Sequence, residues 1–267
     1  MSKLFFLGTG KMATAIAGGI VKEGVLNANE LAGYDINPDA AVAFTTATGA
    51  AAFSTELEKH LGAAECVLLA VKPQMLSAAL ENFRSFLADK LILSIVAGVP
   101  IAKLQELTGS NRIVRIMPNT PALVGCGAAG YSAAGGASPE DVAFAGKIFS
   151  AIGIAMPLRE AELDAVTALS GSGPAYVFEF IQALADGGVA EGLARDTALK
   201  LAAQTVLGAA VMVLNSGVHP QQLKDNVTSP GGTTSRALEL MAERGFSGIV
   251  MQSVRAAAKR SRELGGK

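Results

Sequence analysis

Residues 3–17, KLFFLGTGKMATAIA, restrict the fold more tightly than any other stretch of the chain. The apolar run Leu4–Leu7 has the length and bulk of a fully buried strand. Gly8-Thr9-Gly10-Lys11-Met12-Ala13 follows at once, and then a small-residue helix to about Glu23. Strand, G-x-G-x-x-A turn and helix, in that order, form the fingerprint of a dinucleotide site. Gly8 permits the tight turn, Gly10 lets the backbone approach a pyrophosphate, and Ala13 lets the helix pack close to the strand. Thr9, Lys11 and Met12 complete the loop. The unpaired N–H groups of the helix start lie at the positive end of its dipole and favour a phosphate. A plain glycine turn would look the same in isolation; the βαβ pattern beyond it favours the nucleotide.

Strand and helix keep alternating through the first half. Glu30–Asp35 reads as a second strand, and Asn37-Pro38-Asp39 opens a helix with proline near its start. Val67–Val71, Leu91–Ile95 and Ile113–Met117 are three more buried runs, ended by Lys72-Pro73, Ala97-Gly98 and Pro118-Asn119-Thr120-Pro121. Segments near Gly127–Ser132 and Ile154–Leu158 extend the sheet, where antiparallel pairing is allowed. Short apolar runs separated by amphipathic helices mean a parallel sheet covered on both faces. Ligands of such sheets bind beyond the carboxyl ends of the strands. That edge gathers Gly8–Ala13, Ala70-Val71-Lys72-Pro73, Ala97-Gly98 and Asn119 over one crevice.

From Ala161 onward only helical periodicity remains. Ser170-Gly171-Ser172-Gly173-Pro174 marks a helix start with Ser172 as N-cap, the helix running from about Ala175 to Asp186 or Ala190. Thr197–Asn215 is a second helix, apolar nearly all round, which calls for burial on all sides. With no sheet left to cover it, another subunit is the expected cover. The expected fold is α/β, a Rossmann-type doubly wound dinucleotide-binding domain (1–160) followed by an all-helical C-terminal dimerisation and substrate domain (161–267).

Composition narrows the class. Half of the residues are hydrophobic and only 17% are charged, against about 25% in an average domain, which suits a large core plus a buried interface. A net charge of −1 gives no electrostatic basis for binding nucleic acid or an anionic membrane. Leu199–Leu214, the longest apolar helix candidate, is interrupted by Lys200 and Gln204 and falls short of the roughly 20 residues that span a bilayer. Cys66, in a buried strand, and Cys126 form no CxxC and no disulfide framework. No signal peptide is evident at the start. A soluble cytoplasmic protein is expected.

The usual apparatus of carbonyl reduction is missing. None of Tyr34, Tyr131 and Tyr176 is followed four residues later by lysine, and no His, Cys, Asp or Glu cluster has metal-ligand spacing. His60 reads as a solvated residue of a surface helix, and His219 lies in a loop. Gly171-Ser172-Gly173 resembles β-hydroxyacid dehydrogenases, whose catalytic lysine would fall at Val177. An imine needs less machinery, because its nitrogen is basic enough to be protonated near neutral pH. It needs a hydrogen bond at that nitrogen, an anchor for any carboxylate, and orientation against a nicotinamide. Ser229-Pro230-Gly231-Gly232-Thr233-Thr234 offers glycine N–H groups, hydroxyls and a helix start. A Pro-Gly turn with threonine capping a helix from Ser235 is the competing reading.

At this point the whole chain resembles the Δ1-pyrroline-5-carboxylate reductase family. The resemblance rests on the GTGKMA opening, Ala70-Val71-Lys72-Pro73, Met117-Pro118-Asn119-Thr120-Pro121, residues 171–178 (GSGPAYVF) and above all residues 223–234 (LKDNVTSPGGTT). It implies reduction of the cyclic imine 1-pyrroline-5-carboxylate to L-proline, the last step of proline biosynthesis. It implies that the glycine loop, the Val-Lys-Pro turn and the loop after Leu91–Ile95 hold NADPH. Ser229, Gly231, Gly232, Thr233 and Thr234 would hold the substrate, with Thr234 catalytic, in a loop often donated by the other subunit. It further implies a homodimer, commonly five dimers in a decamer.

One position departs from the pattern. Asp35 lies about twenty residues beyond the motif, where an acid receives the ribose 2′-hydroxyl of NAD and repels a 2′-phosphate. No Arg or Lys occurs between Gly33 and Phe44. The residues lean to NAD and the resemblance implies NADP. Asp35 could equally be a solvated loop residue, with Asn37 receiving the ribose. A β-hydroxyacid dehydrogenase-like reductase and a non-catalytic redox-sensing dinucleotide binder are the other readings. Val177 argues against the first, and the Ser229–Thr234 loop against the second.

Overall fold

In a computed structural model, residues 2–81 and 83–266 are described, and they divide into two compact units, 1–172 with 257–267, and 173–256. The first unit carries an eight-stranded sheet. Its strands are β1 (Ser2–Leu7), β2 (Leu31–Tyr34), β3 (Ala51–Phe53), β4 (Ala64–Leu69), β5 (Leu91–Ser94), β6 (Ile113–Met117), β7 (Gly127–Ala133) and β8 (Gly153–Pro157). They lie in the order β3-β2-β1-β4-β5-β6-β7-β8. The first six are mutually parallel, β7 runs antiparallel to β6, and β8 runs parallel to β7. The reversal between β1 and β4 is the switch point at which doubly wound sheets bind their ligands.

Alternation along β1 explains why both faces are covered. Leu4 and Phe6 enter one apolar cluster with Ile16, Ile20 and Phe44, while Phe5 and Leu7 enter the other with Val67, Leu69 and Leu104. The first cluster packs α1 (Lys11–Lys22) and α2 (Pro38–Thr48); the second packs α3 (Leu57–Gly62), α4 (Pro73–Leu80), α5 (Arg84–Leu87) and α6 (Ile101–Thr108). The helix α7 (Pro139–Ser150) joins the first through Ala145, Ile148 and Phe149.

Several expectations shift. The three-residue strand β3 was not expected, because Ala51-Ala52-Phe53 has too little apolar bulk to stand out. The run at Val67–Val71 is β4, and it begins earlier and stops at Leu69. His60 is half-buried rather than freely solvated: its ring stacks on Phe53 with centroids 3.6 Å apart and planes within 10°. Ser172 does not cap a helix start. The short helix α8 (Leu163–Val166) continues through a π-helical turn, Thr167–Gly171, into α9 (Gly173–Ala190), and the Ser172 N–H donates to the Thr167 carbonyl at 2.8 Å. Gly171 thus closes the wide turn and Ser172 links it to the start of α9.

The described residues of the second unit form helices joined by loops, without a strand. It comprises α9, α10 (Arg195–Ser216), α11 (Pro220–Asn226), α12 (Thr233–Glu243) and the first part of α13 (Phe246–Leu264), whose end belongs to the first unit. Its own core is small: Ala185 of α9 meets Ala198 and Ala202 of α10, with Ile181 and Val189 beside them. The sequence put the apolar helix below bilayer length; α10 is 22 residues, long and apolar enough by length and composition alone to cross a membrane. Only Ala198 and Ala202 of α10 are buried.

Candidate functional site

The carboxyl edge of the sheet is built from turns whose backbone geometry the sequence dictates. Gly8 has φ +98°, and a Cβ there would stand 2.8 Å from the Ala70 carbonyl oxygen. Only glycine can join β1 to α1 while passing so close to the end of β4. Gly10 is the N-cap of α1, with no side-chain cap bond and no acid in the first turn. A Cβ on Gly10 would meet nothing within 4 Å. The first-turn N–H groups are capped by no side chain, and this fits a pyrophosphate of a dinucleotide. Ala13 is buried against the sheet. Lys11 and Lys72 are exposed and form no ion pair among the described residues.

Asp35 is half-buried and its carboxylate is engaged. Its Oδ2 accepts from the Thr9 N–H at 2.8 Å and from the Thr9 hydroxyl at 3.4 Å, and its Oδ1 accepts from the Asn37 N–H at 3.0 Å. The carboxylate ties the phosphate loop to the end of β2. Asn37 in turn caps α2, its side chain accepting from the Asp39 N–H at 3.0 Å. Asn119 is buried and its amide is committed: Nδ2 donates to the Ser170 carbonyl at 3.0 Å, and Oδ1 accepts from the Ala128 N–H at 2.8 Å. Asn119 shapes its turn, with one Nδ2 hydrogen left beyond these two bonds. Ala70, Val71, Lys72 and Pro73 form the turn from β4 into α4, with Lys72 as N-cap and Pro73 as first helical residue. Ala97 and Gly98 follow β5, with Gly98 at φ +76°.

A groove of about 870 Å³ starts at Thr9–Lys11 but runs down α1 between Ala15, Gly18 and Ala43. Beyond the glycine loop it is bordered by α2 and by the Ala122–Gly125 turn. Among the described residues no group of three or more His, Cys, Asp or Glu could hold a metal ion.

In the second unit, Ser229-Pro230-Gly231-Gly232 closes a turn, the Gly232 N–H donating to the Ser229 carbonyl at 3.1 Å. Proline second and Gly231 third, at φ +65°, match a type II turn. This corrects part of the expected carboxylate grip: the Gly232 N–H is already used, whereas the Gly231 N–H donates to no backbone carbonyl among the described residues. Nor does a threonine cap the next helix. Gly232 is the N-cap of α12, without a side-chain cap bond or an acid in the first turn, and α12 starts at Thr233 rather than Ser235. The Thr233 and Thr234 hydroxyls make no hydrogen bond among the described residues. Gly10 and Gly232 open their helices in nearly the same extended conformation, φ −67° and ψ −179° against φ −76° and ψ 174°. Each leaves a helix start without an internal anion.

Comparison with known proteins decides what such a chain is. Residues 160–264 match a family model described as pyrroline-5-carboxylate reductase dimerisation, and residues 3–98 match one described as NADP oxidoreductase, coenzyme F420-dependent. The pyrroline-5-carboxylate reductase of Pisum sativum is 46% identical over 98% of this chain and 95% of its own length. A solved pyrroline-5-carboxylate reductase of Coxiella burnetii superposes with a TM-score of 0.93 at 32% identity, covering 98% of each chain. The pyrroline carboxylate reductase of Plasmodium falciparum, solved with NADP bound, gives 0.87 at 36% identity, covering 99% of this chain and 98% of its own. The chain belongs to the pyrroline-5-carboxylate reductase family. It is an oxidoreductase with an NADP-binding α/β domain followed by a helical dimerisation domain. As a member of this family it is a homo-oligomer, which accounts for the apolar α10 without a bilayer. Sequence reasoning missed the Asp35–Thr9 tie; an acid right after a strand that pairs with the glycine-loop strand was the available signal.

Proposed function

We propose that this protein reduces 1-pyrroline-5-carboxylate to L-proline, using NADPH at least as well as NADH. The supporting observation is the pair of glycine-capped, acid-free helix starts, one at the cofactor edge and one in the loop that the family resemblance assigns to substrate. Gly8–Ala13 would receive the pyrophosphate on the first-turn N–H groups of α1. Ala70–Pro73, Ala97-Gly98 and the backbone at Asn119 would border the rest of the dinucleotide. When bound, the reduced nicotinamide supplies the hydride. Asp35 holds the loop in shape through the N–H bonds that both of its oxygens accept. Asn37 stands beside it at the ribose.

The substrate carboxylate would meet the start of α12, through the N–H groups of Thr233 and Gly231 and the hydroxyls of Ser229 and Thr233. Gly232 keeps that approach open, and Thr234 would hydrogen-bond the ring nitrogen. Residues 161–267 would act as the dimerisation and substrate region, the partner subunit donating the Ser229–Thr234 loop. Five dimers in a decamer, in the cytoplasm, complete the reading. The test is nicotinamide oxidation followed with 1-pyrroline-5-carboxylate, comparing NADPH with NADH. Turnover with neither cofactor would sink it.

A further inference from the structure

We propose that Glu160 is a positioning residue for the Ala97-Gly98 turn of the cofactor site, acting as a remote cap on α6; this rests on the cofactor reading above. The helix α6 begins directly after Ala97-Gly98-Val99-Pro100, and its N-cap is Pro100, which has no side chain able to accept a bond. A helix start so placed lacks the Ser, Thr, Asp or Asn that would satisfy its first donors. Glu160 supplies the acceptor from 59 residues away: its Oε1 takes the Ile101 N–H at 2.7 Å. The same oxygen takes Nη1 of Arg115 at 3.0 Å.

Arg115 lies inside β6 with its side chain 9% exposed, against 31% for Glu160. A guanidinium buried in a sheet needs a counter-charge, and Glu160 is held by it. The carboxylate thus joins two strand-end turns. One is Ala97-Gly98, which ends three residues before Ile101; the other follows Met117, two residues beyond Arg115. Negative charge at the start of α6 also complements the helix dipole. Gly98 takes a left-handed backbone in the first turn, and fixing Ile101 fixes the backbone just beyond it. Glu160 itself touches no cofactor.

The test uses the full-length protein and two double variants that both lack the ion pair. Arg115→Met with Glu160→Gln keeps an acceptor for the Ile101 N–H; Arg115→Met with Glu160→Ala does not. NADPH Kd should stay within about threefold of wild type in the first and rise about tenfold in the second, the effect of leaving the Ile101 N–H without an acceptor. Amide exchange in the ligand-free wild type gives a readout that needs no variant to fold. Ile101 should be protected, whereas Ala102, the next first-turn donor, should exchange freely. Equal Kd in the two double variants, or an Ile101 amide as fast as that of Ala102, would overturn the role of Glu160. Wild-type protein that fails to bind NADPH would overturn the cofactor reading, and this proposal with it, whatever the exchange data show.

Discussion

Thr234 occupies the second position of α12 with its hydroxyl uncommitted, in a turn that already spends the Gly232 N–H on itself. A hydrogen bond to a charged group contributes roughly 1.5–3 kcal/mol, and about 1.4 kcal/mol is tenfold in rate. Thr234→Ala should therefore lower kcat/KM for 1-pyrroline-5-carboxylate about ten- to a hundred-fold with NADPH Kd nearly unchanged. Steady-state kinetics at saturating NADPH would show it, and wild-type turnover would leave a bound water as the better partner of the nitrogen. Gly232→Val should be worse, because its Cβ would press on the Ser229 hydroxyl. Asp35 poses the other residue-scale question. Asp35→Asn keeps an acceptor for the Thr9 N–H and removes the charge, so the NADPH/NADH ratio of kcat/KM should rise by about tenfold. Asp35→Ala also frees the loop and should raise KM for both cofactors. An unchanged ratio in the asparagine variant would show that the carboxylate stays clear of the 2′ position.

Elements were legible in the sequence wherever one interaction dominated them. The buried strands β1, β4, β5 and β6 announce themselves as apolar runs, and Asn37-Pro38 marks α2 by cap and first turn together. β3 stayed hidden because its pairing with β2, not its own side chains, makes it a strand. The Ser172 expectation failed because a π-turn leaves no signal that separates it from a helix start. The substrate loop was legible as a turn with a helix behind it, but its internal Gly232–Ser229 bond was not, since that depends on the backbone angles of Gly231. His60 belongs to the same class. Its stacking on Phe53 joins α3 to the end of β3, and burial, followed by the charge of Lys59, lowers its pKa. A lowered folded-state value means that stability is full above the unfolded pKa and lost as pH falls through the folded one. His60→Phe keeps the stack without a titrating ring. Its Tm should fall less than that of wild type between about pH 7 and pH 5, and parallel Tm profiles would show that the ring does not matter to stability.

At the scale of the whole molecule, the second unit has far more apolar surface than partners for it. Leu201, Leu207, Met212 and Leu214 on α10 are each more than half exposed, as are Ile249 and Met251 on α13. Two solvents could take such a surface: lipid, or another copy of the chain. Length and hydropathy alone admit lipid for α10. Membership of a family whose C-terminal model is a dimerisation domain chooses the second copy, and the helices on either side show why. A span would have to leave α9, to which α10 is tied through Ala185, Ala198 and Ala202 and by the Arg195–Asp186 ion pair. Val211 separates the possibilities, because in one isolated chain it is 43% exposed and an arginine there would cost almost nothing. In a dimer seam the same arginine becomes an unpaired buried charge, worth ~3–5 kcal/mol against association. Val211→Arg should therefore yield monomer or insoluble protein with little reductase activity, read by light scattering after size exclusion. Wild-type Tm should rise with protein concentration, as coupled folding and assembly require. A Val211→Arg protein that keeps the wild-type oligomer and activity would mean that this face of α10 is not the seam.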